Sequence, residues 1–501
     1  MDYKKLQNGS DIRGVALEGI EGQHINLTEE VCRNIGRGFA LWLRGCLGKD
    51  SLRVSVGRDS RLSGEMLAGW LCQAMSEQGI EVTNIGMAST PAMFMSTVTG
   101  DQPYDAAVMI TASHLPFNRN GFKFFTKDGG LEKRDISEIL DYAAGEKVTG
   151  LAPSVVRTGV FMDDYAAILV NKVRSASGEE RPLAGYRIIV DAGNGAGGFY
   201  ADKVLKPLGA DTEGSQFLEP DGSFPNHIPN PEDAAAMEAI KSAVAKTKAD
   251  FGIIFDTDVD RAGAVLADGT ELNRNRIIAM LAAILLREHP GTTIVTDSIT
   301  STGLAAFIER RGGIHHRFKR GYRNVINESI RLNGLSQDSQ LAIETSGHGA
   351  LKENYFLDDG AYLVTKLLIE LARGKKEGYT LESLIADLAE PEESKEFRLN
   401  IIPEEFKPYG QEVLEKLQEY AAGKDGWSVA PNNYEGVRCN LDADHGNGWF
   451  LLRMSLHDPL MPLNIESDEA GGVMKIAKEL AAFLLGCEGL DTGKLKEFVE
   501  G

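Results

Sequence analysis

The 501-residue chain is predicted to fold as an α/β protein of four domains: three similar α/β mixed-sheet domains and a distinct C-terminal α+β domain. Three observations predict this. The length exceeds what a single hydrophobic core supports. Apolar, β-branched stretches alternate with stretches of helical period, as in α/β layers. And one unit recurs: an apolar strand that runs into a small or polar turn, followed about 50 to 65 residues later by a second apolar strand with its own polar loop.

The first strands are RVSVGRDSR from Arg53, RIIVDAGNGAG from Arg187 and TIVTDSITSTG from Thr293. The second strands are AAVMITASH ending at His114, FGIIFDTDVDR ending at Arg261 and LAIETSGH ending at His348. Helical periodicity predicts helices in Leu62–Gly79 and Ala361–Gly374, and the apolar run Ile277–Leu286 reads as a buried helix too short to span a bilayer. The unusual residues emerge where each second strand ends, the end at which open α/β sheets bind ligands. Beyond LAEPEESKEFRLN (Leu388–Asn400) the chain turns rich in Asn, Asp and Gly before a closing apolar helix, which marks the different fourth domain.

The 73 acidic against 53 basic residues leave a net charge of −20, which opposes binding to nucleic acid or anionic lipid and requires a locally basic cleft for any phosphorylated ligand. The start lacks the apolar core of a secretion signal, and five cysteines without a C-x-x-C pair argue against disulfides or structural zinc. A cytoplasmic protein without membrane or nucleic-acid partners is expected.

DTDVDR (Asp256–Arg261) follows an apolar strand directly. Its three alternating carboxylates, Asp256, Asp258 and Asp260, would repel one another if desolvated together, so a divalent cation is their natural partner; an oxygen-only set suits magnesium. It is not an EF-hand, which needs Gly at Arg261 and Glu at Ala267, and a solvated acidic turn is the alternative. In DAGNGAGG, Gly193, Gly195 and Gly198 fit a dinucleotide fingerprint, but the region around Asp211 is polar and turn-like, so a close-packed strand-to-helix turn is the reading preferred. Ser113 in TASHL lacks the flanking glycines of a hydrolase elbow, which argues against an acyl-transfer triad. It either caps a strand end or works with its neighbours His114, Arg119, Asn120 and Lys123, whose donors suit a dianionic phosphate. Arg13, Arg58 and Arg61, and the FKRGYRNV run with Lys319, Arg320 and Arg323, read singly as surface charges. Arg453, Ser455 and His457 alternate beyond an apolar strand.

In this order the pieces resemble the α-D-phosphohexomutase family. TASHLPFNRNGFK is similar to its serine loop T-A-S-H-N-P…N-G-x-K with Leu115 for Asn, DTDVDR matches its D-x-D-x-D-R metal loop, and IETSGH resembles G-E-x-S-G-H with Ile343 for the first Gly. SDIRG, GRDSR, TPAMF, VDAGNGAG and PDGSFPNHIPNPE extend the similarity over nearly the whole chain. RMSLHDP departs from the phosphate loop R-x-S-x-T-E-P at His457 and Asp458, and Ser298 stands where the family often has a basic residue.

The resemblance implies four domains around a central cleft, at 1–152 with the serine loop, 153–268 with the metal loop, 269–388 with the sugar-binding loop and 389–501 with the phosphate-binding loop. It implies a mutase interconverting hexose 1-phosphate and hexose 6-phosphate, mannose or glucose, through phosphoserine at Ser113 and a hexose 1,6-bisphosphate that also serves as activator. Phosphoglucosamine mutase is the alternative within the family; a magnesium-dependent sugar phosphatase and a noncatalytic sugar-phosphate sensor are the rivals outside it. Ser113, His114, Arg13, Lys123 and Arg261 are the implied catalytic residues. Ser113, Asp256, Asp258 and Asp260 are the implied Mg2+ ligands. Arg320, Gly321, Tyr322, Arg323, Glu344, Ser346, His348, Arg453, Ser455 and His457 are the implied contacts to a phosphorylated hexose. The chain is expected to act as a monomer or homodimer.

Overall fold

The computed structural model describes residues 2–145, 152–455 and 458–501. The chain divides into two compact units, the first comprising 1–273 and 346–383, the second 274–345 and 384–501.

The first unit opens with a mixed sheet. Arg53–Arg58 pairs in parallel with both Glu81–Met87 and Ala106–Ile110, and Arg119–Thr126 and Asp11–Val15 continue it antiparallel. The apolar side chains of these strands leave no face for water: Val54, Val56, Val108, Ile110, Phe122 and Phe124 are buried against Ile35, Phe39 and Leu43 of the helix Glu29–Leu47. That helix starts where Thr28 accepts from the Val31 N–H and stops at Gly48, in the left-handed conformation. The next sheet pairs Ile188–Asp191 in parallel with Phe251–Phe255, which turns back antiparallel into Ala262–Leu266. In the second unit Thr293–Thr296 lies parallel to both Ile314–Arg317 and Ser339–Ile343.

The tripled pattern is therefore structural: in each copy the first strand pairs in parallel with the second. Ile277–Leu286 is buried within the helix Arg274–Glu288, and no helix among the described residues is long and apolar enough to cross a membrane. All five cysteines are free thiols.

The C-terminal region differs, as expected. Its sheet is antiparallel throughout, in the order Trp427–Val429, Val437–Leu441, Gly448–Leu452, Leu460–Ser467, Glu393–Ile401 and Leu490–Asp491, and the helices Phe406–Ala422 and Gly472–Leu484 share its core. Gly448–Leu452 ends before Arg453, so Arg453 and Ser455 stand in the loop beyond the apolar strand, where the sequence puts them.

This sheet carries a testable charge. Glu466 lies opposite Trp449, whose Nε1–H donates to it at 3.0 Å; burial pushes its carboxyl up to about 7 although Arg438 pulls the other way. An acid raised on folding holds its proton longer in the native than in the unfolded chain, so it costs stability as pH rises from about 4.3 to 7, by about 4 kcal/mol in full. Glu466→Gln keeps an acceptor for Trp449 and is expected to exceed the parent's stability at about pH 8 but not at about pH 4, measured by urea unfolding. A stability difference that does not change with pH would contradict this.

Candidate active site

Each second strand of the first unit ends in a loop held in an unusual backbone conformation. After Ala106–Ile110 the chain reaches Ser113 at φ 54°, and after Phe251–Phe255 it reaches Val259 at φ 68°. A β-branched residue in that region is strained by about 1–3 kcal/mol, and such strain gathers at functional sites. Val259 is fully buried, and its carbonyl accepts from the Gly360 N–H at 3.2 Å. The SGH loop carries the same feature at Gly347, φ 93°, where a side chain would also strike the Ala262 carbonyl. Gly195, in the turn after Ile188–Asp191, packs so close to Thr257 that a Cβ would lie 2.7 Å from its carbonyl oxygen; this is the close-packed turn expected there.

These loops bring Ser113, His114, Arg13, Lys123, the three aspartates, Arg261 and His348 into one region of the first unit. The Ser113 hydroxyl donates to Asp256 Oδ2 at 3.2 Å and lies 3.5 Å from Arg261 Nη2. Arg261 Nε donates to the same carboxylate oxygen at 3.0 Å, Nη1 to Asn230 Oδ1 at 3.1 Å and Nη2 to His114 Nδ1 at 2.7 Å. Arg13 donates to the Ala112 carbonyl at 2.9 Å and is steadied by Asp11 at 2.9 Å. Lys123 bridges Asp258 Oδ2, at 3.2 Å, and Asp260 Oδ2. Of the other donors expected around Ser113, Asn120 donates to Ser63 at 2.9 Å.

The aspartates fit a cation. Asp256, Asp258 and Asp260 are at most 1% exposed, each offers an oxygen within 4.8 Å of the others, and Asp258 Oδ1 and Asp260 Oδ1 are buried without a hydrogen-bond partner. A buried carboxylate oxygen without a donor is costly and suits a hard metal ion. Burial and the neighbouring Asp260 and Asp258 push the Asp256 carboxyl well above the usual range. Burial acts on Asp260 the same way, but Lys123, His348 and Arg261 hold it below that range.

The two histidines differ. Burial beside Arg261 and Arg13 lowers His114 to about 3, so it is a neutral ring that accepts from Arg261 through Nδ1. Burial would lower His348 as well, but Asp358, 2.6 Å from its Nδ1, and Asp260 raise it to about 9. Ser346 is buried, its hydroxyl without a partner among the described residues.

The second unit gathers its own set. Glu435 accepts from the Ser298 hydroxyl at 2.9 Å and the Arg320 N–H at 2.7 Å, and its other oxygen lies 3.3 Å from Arg453 Nη1. Glu344 accepts from the Gly321 N–H at 2.6 Å, just before the helix Tyr322–Gly334 that contains Tyr322 and Arg323. Arg320 Nε lies 3.4 Å from the buried Asp297. The Ser455 hydroxyl accepts from the Asp458 N–H at 3.3 Å, and His457 lies outside the described residues.

Three domain profiles, described as phosphoglucomutase/phosphomannomutase alpha/beta/alpha domains I, II and III, match residues 4–148, 163–269 and 273–391 in that order. The chain belongs to the phosphoglucomutase/phosphomannomutase family. It is a hexose phosphate mutase, an enzyme of intramolecular phosphoryl transfer. A Pseudomonas putida phosphomannomutase/phosphoglucomutase is 31% identical over 90% of this chain and 92% of its own length. A Neisseria gonorrhoeae phosphoglucomutase is 30% identical over 93% and 95%. The crystal structure of a phosphoglucomutase/phosphomannomutase family protein from Burkholderia thailandensis superimposes with a TM-score of 0.80 at 26% identity, covering 97% of this chain and 98% of that one.

Several residues of this mutase escaped the sequence reading. Thr90, in the TPAMF motif, donates its hydroxyl to Asp258 Oδ2 at 2.5 Å and its N–H to the Asp258 carbonyl at 2.8 Å, which leaves Oδ1 free for a metal. Asn230 orients Arg261, Asp358 orients His348, and Glu435 occupies the acceptor position beside Arg453. Arg61, read from sequence as a surface charge, is 1% exposed.

Proposed function

We propose that the enzyme carries a phosphoryl group on Ser113 and passes it to the free hydroxyl of a hexose 1-phosphate. The P–Oγ bond breaks as the bond to the sugar oxygen forms, and the hydroxyl proton ends on Ser113 Oγ. The resulting 1,6-bisphosphate turns end for end and returns its other phosphate to Ser113. The observation that carries this reading is the Ser113 hydroxyl at 3.2 Å from Asp256, inside a buried carboxylate cluster in which two oxygens have no hydrogen-bond partner.

Asp256, Asp258, Asp260 and the phosphoserine would hold magnesium, which when bound neutralises charge on the leaving serine oxygen. The remaining work falls to the protein's own groups. Arg261 and Arg13 are placed to steady the equatorial phosphoryl oxygens, with Lys123 released from the carboxylates to join them. His114, neutral, orients Arg261, and His348, held protonated, supplies a proton-bearing nitrogen. Arg453 and Ser455 form the clamp for the phosphate that is not reacting, and Glu344 and Arg320 read the sugar. The four-domain division at 152, 268 and 388 is part of the same reading.

Purified protein given magnesium, a trace of glucose 1,6-bisphosphate and either glucose, mannose or glucosamine 1-phosphate is expected to yield the corresponding 6-phosphate without inorganic phosphate. The ratio of kcat/KM among the three assigns the sugar. Phosphate release without 6-phosphate would instead indicate a phosphatase, and binding without product a sensor.

A further inference from the structure

Arg61 lies in the loop after Arg53–Arg58, beside the loop that carries Ser113, because those two strands are parallel neighbours. Its side chain is fully buried, and the carboxylate of Asp59 lies 3.4 Å from Nε. The guanidinium fork is spent on backbone. Nη1 donates to the carbonyls of Pro116, at 2.9 Å, and Arg119, at 3.0 Å. Nη2 donates to the carbonyls of Ser113 and, at 2.7 Å, Leu115. Four carbonyls, three from the serine loop and one from the first residue of the strand that follows it, thus converge on one cation. Asp59 fixes the other end by accepting from the Arg61 N–H at 3.0 Å, and the Phe224 ring lies 5.4 Å from the guanidinium carbon.

A buried carbonyl needs a donor; that of Pro116 also accepts from the Arg119 N–H at 2.9 Å, and around the left-handed turn of Ser113 the Arg61 fork supplies a donor to all four. Only a planar group with paired N–H bonds on two nitrogens reaches four acceptors at once; an ammonium presents three donors from one point. Nothing in this arrangement touches the Ser113 hydroxyl, which faces Asp256 and Arg261 instead.

We propose that Arg61 is the positioning residue of the serine loop: its fork, by gathering the carbonyls of Ser113, Leu115, Pro116 and Arg119, sets where the Ser113 oxygen meets the sugar hydroxyl. The inference rests on Ser113 as the phosphoryl carrier. A displacement of about 1 Å in a reacting group costs on the order of 100-fold in rate while leaving substrate binding largely intact. Arg61→Lys, which keeps the charge and loses the fork, is therefore expected to lower kcat about 100-fold, with KM for glucose 1-phosphate and the calorimetric affinity for Mg2+ each within about threefold of the parent. A misplaced phosphoserine also reacts more with water, so the fraction of its phosphoryl group released as inorganic phosphate should rise.

Arg61→Ala supplied with ethylguanidinium is the second variant. The planar cation is expected to recover about tenfold or more of the lost kcat, and ethylammonium none. The inference is overturned if folded Arg61→Lys retains a kcat within about threefold of the parent, if ethylammonium rescues as well as ethylguanidinium, or if neither variant folds, which would assign Arg61 to the fold alone. An active parent with an inactive Ser113→Ala and an active Arg61→Lys sinks only the role of Arg61. A parent without mutase turnover sinks the reading of Ser113 and the inference with it.

Discussion

Ser113→Ala is expected to leave a folded protein whose mutase turnover is lost by about 10⁴-fold or more, since the covalent route ends with its nucleophile. The structure sets the cost on both sides. Alanine occupies less space than serine, so the buried position is not overpacked, and the lost bond to Asp256 leaves that oxygen with Arg261 as its donor. The φ of 54° suits alanine no better than serine, so the stability change stays within about 1 kcal/mol. Intact mass after incubation with glucose 1,6-bisphosphate checks the chemistry directly: the parent should gain one phosphoryl group within the peptide containing Ser113, and the variant none. A variant that still turns over at near-parent rate would move the phosphoryl carrier elsewhere.

Asp258→Asn should uncouple the enzyme from magnesium. Asp258 spends Oδ2 on Thr90 and Lys123 and keeps Oδ1 without a partner, so the substitution removes the charge a cation needs while keeping the side chain's volume. Mg2+ affinity by calorimetry is expected to fall by about 100-fold. The melting temperature offers a second readout. Ligand that binds only the native state stabilises it by RT ln(1 + [L]/Kd), so the parent's melting point should climb with Mg2+ while that of the variant stays flat. With EDTA the order reverses or levels, because the amide relieves repulsion among three buried carboxylates. Equal magnesium titrations of parent and variant would remove Asp258 from the ligand set.

Much of this was open to reading along the chain. The strand FGIIF and the carboxylates behind it are contiguous, and periodicity alone separates a buried strand from the loop that ends it. The three strand pairs, the helix Arg274–Glu288 and the change of character near Glu393 follow from the same local patterns. Arg61 was misjudged for a physical reason: an arginine in a polar turn looks solvated until the partner carbonyls, more than 50 residues away, are known. Thr90 and Asn230 were missed likewise, since neither has chemistry of its own and each matters only through the group it orients.

The residues that can bind a phosphoryl group, hold a metal or form a strand are intrinsic to the sequence, because charge, donor count and side-chain period travel with the residue. Protonation and aim do not. His114 and His348 start from the same imidazole, yet Arg261 at one and Asp358 at the other drive them in opposite directions, to about 3 and about 9. Ser113 shows the same division. Its neighbours along the chain argue against acyl transfer and supply donors suited to a phosphate, but the four carbonyls gathered by Arg61 and the carboxylate of Asp256 meet it only on folding. Long-range contacts in a buried, weakly screened interior decide both charge and direction there.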